Sequence, residues 1–83
     1  MRKWFLYVVE CSDGTLYTGV TVDLDRRVTE HNTSNKGAKY TMTRRPVKLV
    51  WSREYPTRSE AQAAEYKLKK LPRRKKLKMI NNG

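Results

Sequence analysis

One cysteine, Cys11, and one histidine, His31, are all that this 83-residue chain offers of those two types. That scarcity excludes a disulfide framework, the multi-cysteine zinc sites and every motif built on paired histidines. Long apolar runs are missing as well. Nothing approaches the roughly 18 residues needed to cross a bilayer. The apolar stretch Trp4 to Val9 is too short for a signal-peptide core of about 7 to 15 residues followed by a small-residue cleavage site. No internal repeat or low-complexity linker divides the chain, so residues 1–83 read as one small, soluble, cytoplasmic domain. A domain of this size buries only about 60% of the surface that its unfolded chain exposes.

Acidic residues are few, 8 against 19 Lys and Arg, and the formal charge is +11. The imbalance is localised. Residues 1–42 carry six basic and five acidic side chains, whereas residues 43–83 carry thirteen and three. Lys67 to Lys78 alone holds eight basic residues and no acidic one. A field this lopsided implies a polyanionic partner, nucleic acid or an acidic surface. Two tryptophans, five tyrosines and distinct apolar segments mark a folded domain rather than a disordered basic tail.

The apolar run Trp4 to Val9 has strand chemistry, Ser12-Asp13-Gly14 has turn chemistry, and Thr15 to Val20 forms a second strand, which together make a hairpin. Two turns compete: a two-residue Asp-Gly loop, or a three-residue loop with Gly14 in the left-handed region. The longer loop sets Cys11 against Thr15, Tyr7 against Gly19 and Val9 against Tyr17, so both tyrosines share a face. The shorter one flips Tyr17 away. The longer loop is preferred because Gly19 then leaves space beside Tyr7.

Asp23 is placed to cap a helix from Leu24 to about Asn32, with Leu24, Val28 and His31 inward, Arg27 flanking them and Arg26 outward. Residues 34–43 are open between a loop and a short helix and are read as a mobile connector. Val47, Leu49 and Trp51 alternate as in a half-buried third strand running from Val47 to Glu54. Thr57-Arg58-Ser59-Glu60 fits a capping box, with Glu60 reaching back to the Thr57 amide. The helix that follows ends near Leu71, before Pro72, and buries Ala61, Ala64, Leu68 and Leu71, leaving Glu65 at the edge of that stripe. Pro72 opens a last basic helix in which Leu77 and Ile80 dock while Arg73, Arg74, Lys75, Lys76 and Lys78 stay in water.

In this order the pieces resemble the GIY-YIG nuclease domain over essentially the whole chain. Phe5-Leu6-Tyr7 stands where the family has Gly-Ile-Tyr, and Tyr17-Thr18-Gly19 stands for Tyr-Ile-Gly. Leu16 to Thr21, then Asp23-Leu24-Asp25-Arg26-Arg27 and Glu30-His31-Asn32, look like the small stand-alone bacterial members. Those are similar in turn to structure-specific and excision-repair nuclease domains. Two positions depart from the pattern: bulky Phe5-Leu6 replaces Gly-Ile, and Val20 stands where some relatives have a lysine. The resemblance implies an α/β domain with a three-stranded antiparallel sheet flanked by helices. It also implies a divalent-metal-dependent endonuclease acting on DNA in repair or recombination. Tyr7, Tyr17, Arg27 and His31 would be catalytic, and Glu65 in Ala63-Ala64-Glu65-Tyr66 would hold the metal.

These residue types suit that chemistry. A lone carboxylate such as Glu65, completed by water and phosphate oxygens, suits Mg²⁺ or Mn²⁺ as a hard cation that keeps several waters. Arg27 can fork onto a phosphate and meet its developing charge. A tyrosine of ordinary pKa is only about one part in a thousand ionised at pH 7, so a tyrosine base needs about 4 kcal/mol of help. Either Tyr7 or Tyr17, assisted by His31, fills that role. Lys39, Tyr40, Lys67, Lys70, Arg73, Arg74 and Lys75 are the expected nucleic-acid contacts, with Asn32 as a weaker one. No base-reading constellation is present, which favours branched, flap or single-stranded DNA over a defined sequence. RNA and a helper protein are further partners to consider, and DNA as substrate would place the protein at the nucleoid. Pro72 interrupts the basic segment and its apolar residues are needed for packing, which argues against a membrane. The alternative is a catalytically silent DNA- or RNA-binding module.

Overall fold

The strand at the N-terminus pairs on both of its edges, and that fixes the architecture. A computed structural model describes residues 3–33 and 39–82. The elements run β1 (Trp4–Glu10), β2 (Leu16–Thr21), α1 (Leu24–Thr33), α2 (Lys39–Met42), β3 (Lys48–Tyr55), α3 (Arg58–Lys69) and α4 (Arg73–Asn82). The sheet order is β2-β1-β3, antiparallel throughout. Leu6, Tyr7, Val8 and Val9 are all buried, as expected of a short continuous apolar run in a central strand covered on both faces.

One face of the sheet packs Tyr7, Val9, Cys11 and Val47 against Tyr17, Leu24 and Val28. The other packs Leu6 and Val8 against Leu68, with Val20, Ala64, Leu71, Met79 and Ile80 around them. Thus α1 covers the first face, and α3 and α4 cover the second. Met79 joins Ile80 in this cluster, while Leu77, also half-buried, lies outside it.

The hairpin uses the three-residue turn. The Cys11 amide donates to the Thr15 carbonyl at 2.8 Å and the Gly14 amide to the Cys11 carbonyl at 2.9 Å. Gly14 has φ +83°, the left-handed region where a Cβ is penalised. Asp13 Oδ1 accepts from the Thr15 amide and hydroxyl. Tyr7 then faces Gly19 and Val9 faces Tyr17.

Both long-helix caps form. Asp23 Oδ1 accepts from the Arg26 amide at 3.1 Å, and Thr57 Oγ1 accepts from the Glu60 amide at 3.2 Å. Glu60 differs from the expected capping box: its carboxylate accepts the Thr57 hydroxyl at 3.2 Å rather than the Thr57 amide.

Two readings of the middle of the chain are corrected. Residues 34–38 lie outside the described residues, but Lys39–Met42 is a short helix rather than mobile connector, held because Thr41 is fully buried against His31. The Val47, Leu49, Trp51 alternation is broken by a bulge. Val8 pairs with Trp51 and Val9 with Leu49, leaving Val50 extra. Val50 and Trp51 both turn to the Leu6 face while Val47 stays on the Tyr7 face.

Asn32 secures this junction. Its side-chain oxygen accepts from the Val47 amide at 2.7 Å and its nitrogen donates to the Val47 carbonyl at 2.9 Å. The amide is thus committed to backbone at the mouth of β3. Beside it Arg45 Nε donates to the His31 carbonyl at 2.6 Å and closes the end of α1. Replacing Asn32 with Asp keeps the acceptor but sets a carboxylate against the Val47 carbonyl. Asn32→Asp and Asn32→Ala are each expected to lower unfolding free energy by about 1–3 kcal/mol, read by urea denaturation. An unchanged midpoint in both would contradict the role of this clip.

Candidate active site

The site is built around one phenol. Tyr7 lies on the central strand, opposite a glycine, and its ring extends across that glycine towards β2. A Cβ at Gly19 would stand 2.6 Å from the Tyr7 hydroxyl and 2.8 Å from Cζ. Only glycine leaves the ring its bed. The hydroxyl lies 2.8 Å from His31 Nε2, and His31 Nδ1 lies 2.9 Å from Thr41 Oγ1. Both the phenol and the imidazole are buried.

Three more expected residues bear on this phenol. Arg27 hydrogen-bonds it from the flank of α1, while one guanidinium nitrogen is held by Glu30 at 3.0 Å. Tyr17, half-buried on β2, sets its ring edge-on to His31 at 5.3 Å between centroids. Glu65, on the edge of α3, lies near enough for its charge to act on the Tyr7 phenol. Its carboxylate is mostly shielded and pairs with Lys69 at 3.4 Å. Arg27 and His31 thus meet the Tyr7 hydroxyl directly, Tyr17 packs edge-on against His31, and Glu65 acts on the phenol through its charge alone.

Burial pushes the Tyr7 phenol up to about 12, with Tyr17 and Glu65 adding to the rise and Arg27 opposing it. Tyrosinate is then about one part in 10⁵ at pH 7. Burial pulls His31 down to about 4, with Arg27 and Arg45 reinforcing the fall and Glu30 resisting it. Around neutral pH both rings are uncharged. A buried neutral phenol needs an acceptor for its proton, and His31 Nε2 is the acceptor within reach. The imidazole proton accordingly sits on Nδ1 and is donated to Thr41 Oγ1. Arg27, Tyr7, His31 and Thr41 form one line of donors.

The guanidinium of Arg27 is raised overall: burial pulls it down, but the hydrogen bonds to Tyr7 and Glu30 outweigh that. It stays a cation under all working conditions.

The remaining sequence candidates divide by location. Tyr40 on α2 stacks on Tyr17 at 5.9 Å between centroids, with Lys39 exposed beside it. Arg73 reaches the β1–β2 turn, donating to the Gly14 carbonyl at 2.7 Å. Arg74 and Lys75 are exposed on α4. Lys70 sits 4.1 Å over the Tyr66 ring. Lys67 lies towards β3 among Trp51, Arg53 and Tyr55, away from Tyr17. Sequence reasoning missed Thr41 and Glu30, one fixing the imidazole and the other the guanidinium. Glu30 carried a local signal, its i,i+3 spacing from Arg27; Thr41 carried none.

Among the described residues no group of three or more His, Cys, Asp or Glu side chains is gathered to hold a metal ion. The donor set fits a hard divalent cation held by the Glu65 carboxylate together with substrate and water oxygens. It does not fit a zinc cage, which needs three or four nitrogen or sulfur ligands.

The family model described as the GIY-YIG catalytic domain matches residues 3–78. A UPF0213 protein of Staphylococcus epidermidis is 53% identical over 83 residues, all of both chains. A UPF0213 protein of Desulfotalea psychrophila is 57% identical over 74 residues, covering 88% of this chain and 67% of its own. Two solution NMR structures share the fold. The UPF0213 protein BH0048 of Bacillus halodurans has TM-score 0.61 at 46% identity, covering 95% of this chain and 83% of its own. The protein EF2693 of E. faecalis has TM-score 0.67 at 42% identity, covering 99% and 86%.

Two outcomes follow from this geometry. A histidine held below its ordinary value takes up its proton in the unfolded chain first, so the native state loses ground as pH falls from about 6.5 to about 4. His31 should account for about 3 kcal/mol of that loss. The difference in unfolding free energy between wild type and His31→Asn should narrow across this window, and a constant difference would contradict the buried neutral ring. Gly19→Ala should cost about 1–3 kcal/mol by forcing Tyr7 aside. A urea midpoint equal to wild type would show that the bed is not required.

Proposed function

The chain belongs to the GIY-YIG family, and on that premise we propose that it is a divalent-metal-dependent endonuclease hydrolysing DNA phosphodiester bonds. Its action is structure-selective, in DNA repair or recombination, within the cytoplasm at the nucleoid. The observation that supports the reading is that Arg27 and His31 hold the Tyr7 hydroxyl while Tyr17 packs on His31 and the Glu65 charge acts on the same phenol.

Each residue has a task set by its surroundings. Arg27, held by Glu30 and by the Tyr7 hydroxyl, brings its cationic charge to a non-bridging phosphate oxygen and meets the charge that develops there. Tyr7 is fully buried and keeps its proton, so it holds Arg27 and His31 in register rather than meeting water. Tyr17 is half-buried against the cluster that holds Tyr7. After giving its own phenolic proton to solvent, its phenolate orients the attacking water and takes that water's proton. His31, fixed through Thr41, packs against Tyr17 and keeps that ring in place. Glu65 would hold Mg²⁺ or Mn²⁺, which when bound supplies charge neutralisation at the phosphate and lowers the cost of deprotonating water. Lys69 pairs with this carboxylate at 3.4 Å and would have to release it to the cation.

Affinity for the strand comes from the second half of the chain, where Lys70, Arg73, Arg74 and Lys75 join Lys39 in an electrostatic surface that does not read bases. Binding of this kind weakens steeply with salt.

The test is a panel of flap, branched, single-stranded and plasmid DNA incubated with Mg²⁺ or Mn²⁺. Wild type should cleave a branched, flap or single-stranded substrate in preference to intact duplex. Glu65→Gln should lose at least about 100-fold in cleavage rate, a size typical of removing one electrostatic element of an active site. Its DNA affinity in EDTA should stay within about threefold of wild type. Equal nicking by both preparations, or no cleavage of any substrate with either metal, would overturn the proposal.

A further inference from the structure

At one end of the β2 edge the hairpin turn, α2 and the start of α4 come together. Thr15, Leu16, Tyr40, Arg73 and Lys76 line a groove of about 200 Å³ there. It adjoins the candidate active site directly, because the Tyr40 ring that forms one wall is stacked on Tyr17. That wall is fixed. The Arg44 guanidinium lies 4.0 Å over the Tyr40 ring, donates to the Tyr40 carbonyl at 2.8 Å and pairs with Asp13 at 3.2 Å. The opposite wall carries two cations. Arg73 is tied to the Gly14 carbonyl at 2.7 Å, and Lys76, one turn further along α4, lies on the same side of the helix. Lys76 is half-buried, not fully wet as the sequence pattern suggested. Among the described residues neither cation has a carboxylate within ion-pair distance.

We infer that this groove is a subsite for one unstacked nucleotide of a single strand, next to the phosphate held at Arg27. Arg73 and Lys76 take its phosphate by charge-assisted hydrogen bonds, and its sugar and base lie along Leu16 and the edge of the Tyr40 ring, which already carries Tyr17 and Arg44. Arg73 and Lys76 stand one helical turn apart on this groove, a spacing that suits a single phosphate. Bases in a duplex are stacked on their neighbours and cannot turn onto a side wall, whereas a flap or single strand offers them freely. The subsite rests on the nuclease reading for its biological purpose, and it narrows that reading to substrates with an unpaired strand.

The experiment measures binding in EDTA, where no cleavage occurs, by fluorescence anisotropy. The probes are a labelled oligothymidylate and a hairpin duplex with the same number of phosphates. Arg73→Gln and Lys76→Gln are compared with Lys78→Gln, which removes the same charge from the same helix outside the groove. Arg73→Gln and Lys76→Gln should each weaken single-strand binding about tenfold, in keeping with a charged hydrogen bond of about 1.5 kcal/mol. Their effect on the duplex should be no larger than that of Lys78→Gln. If all three variants weaken both probes alike, the groove is ordinary basic surface and the inference fails. Lys76 makes no structural hydrogen bond through its side chain, so Lys76→Gln keeps the test decisive if Arg73→Gln loosens the turn. A groove-specific single-strand preference without cleavage in the metal panel would sink the nuclease reading and leave the subsite. Cleavage without that preference would do the reverse.

Discussion

The buried hydroxyl of Tyr7 is the constraint on which the rest of the arrangement depends. It sits in the middle of the sheet with a proton to place, and burial makes an unsatisfied polar group there cost several kcal/mol. Satisfying it requires His31 from α1, and fixing His31 requires Thr41 from α2. Reaching it from the strand requires a glycine at position 19. That glycine falls opposite Tyr7 only because three residues, not two, turn the hairpin. One residue fewer would send Tyr17 to the other face and leave the phenol without its bed. The hairpin turn and the candidate site are one structural decision.

The same burial organises the charges. Burial above all, reinforced by Arg27 and Arg45, keeps the His31 ring neutral, so the imidazole links two hydroxyls instead of carrying charge. Arg27 is therefore the permanent cation of the hollow and Glu65 the acid that its edge supplies. The two are held by different means: Arg27 by Glu30 on its own helix, Glu65 by Lys69 one turn along α3. In the proposed role the fixed cation would meet a phosphate and the Glu65–Lys69 pair would open to a metal. Arg73 and Lys76 of α4 line a groove beside Tyr40, next to Tyr17.

Much of this was legible in the sequence because it is local. The three-residue Ser12-Asp13-Gly14 turn, the Asp23 and Thr57 caps and the buried stripe of α3 rest on spacings of two to four residues, which physical rules read well. The pairing of Tyr7 with Gly19 followed once the turn length was chosen. What escaped was held by contacts between distant segments. Val50 carries no mark of a bulge, since the extra residue is defined by its partner on β1. Asn32 looks like a surface polar residue until Val47 is brought beside it. Thr41 lies in a segment with no apolar period, and only its hydrogen bond to a histidine ten residues away makes it a core residue. Lys76 is one of four consecutive basic residues, and no periodicity distinguishes it until Arg73 is tied to the turn.

The central claim is that Arg27, Glu65 and the tyrosines surround a common hollow able to take a divalent cation beside a phosphate. The most direct measurement is paramagnetic broadening of backbone amide NMR signals by Mn²⁺, added with a short single-stranded oligonucleotide to wild type and to Glu65→Gln. The account requires broadening centred on Gly19, Arg27 and Glu65, fading along α4, and absent in Glu65→Gln at the same Mn²⁺ concentration. Broadening centred elsewhere, or identical in the two proteins, would contradict it.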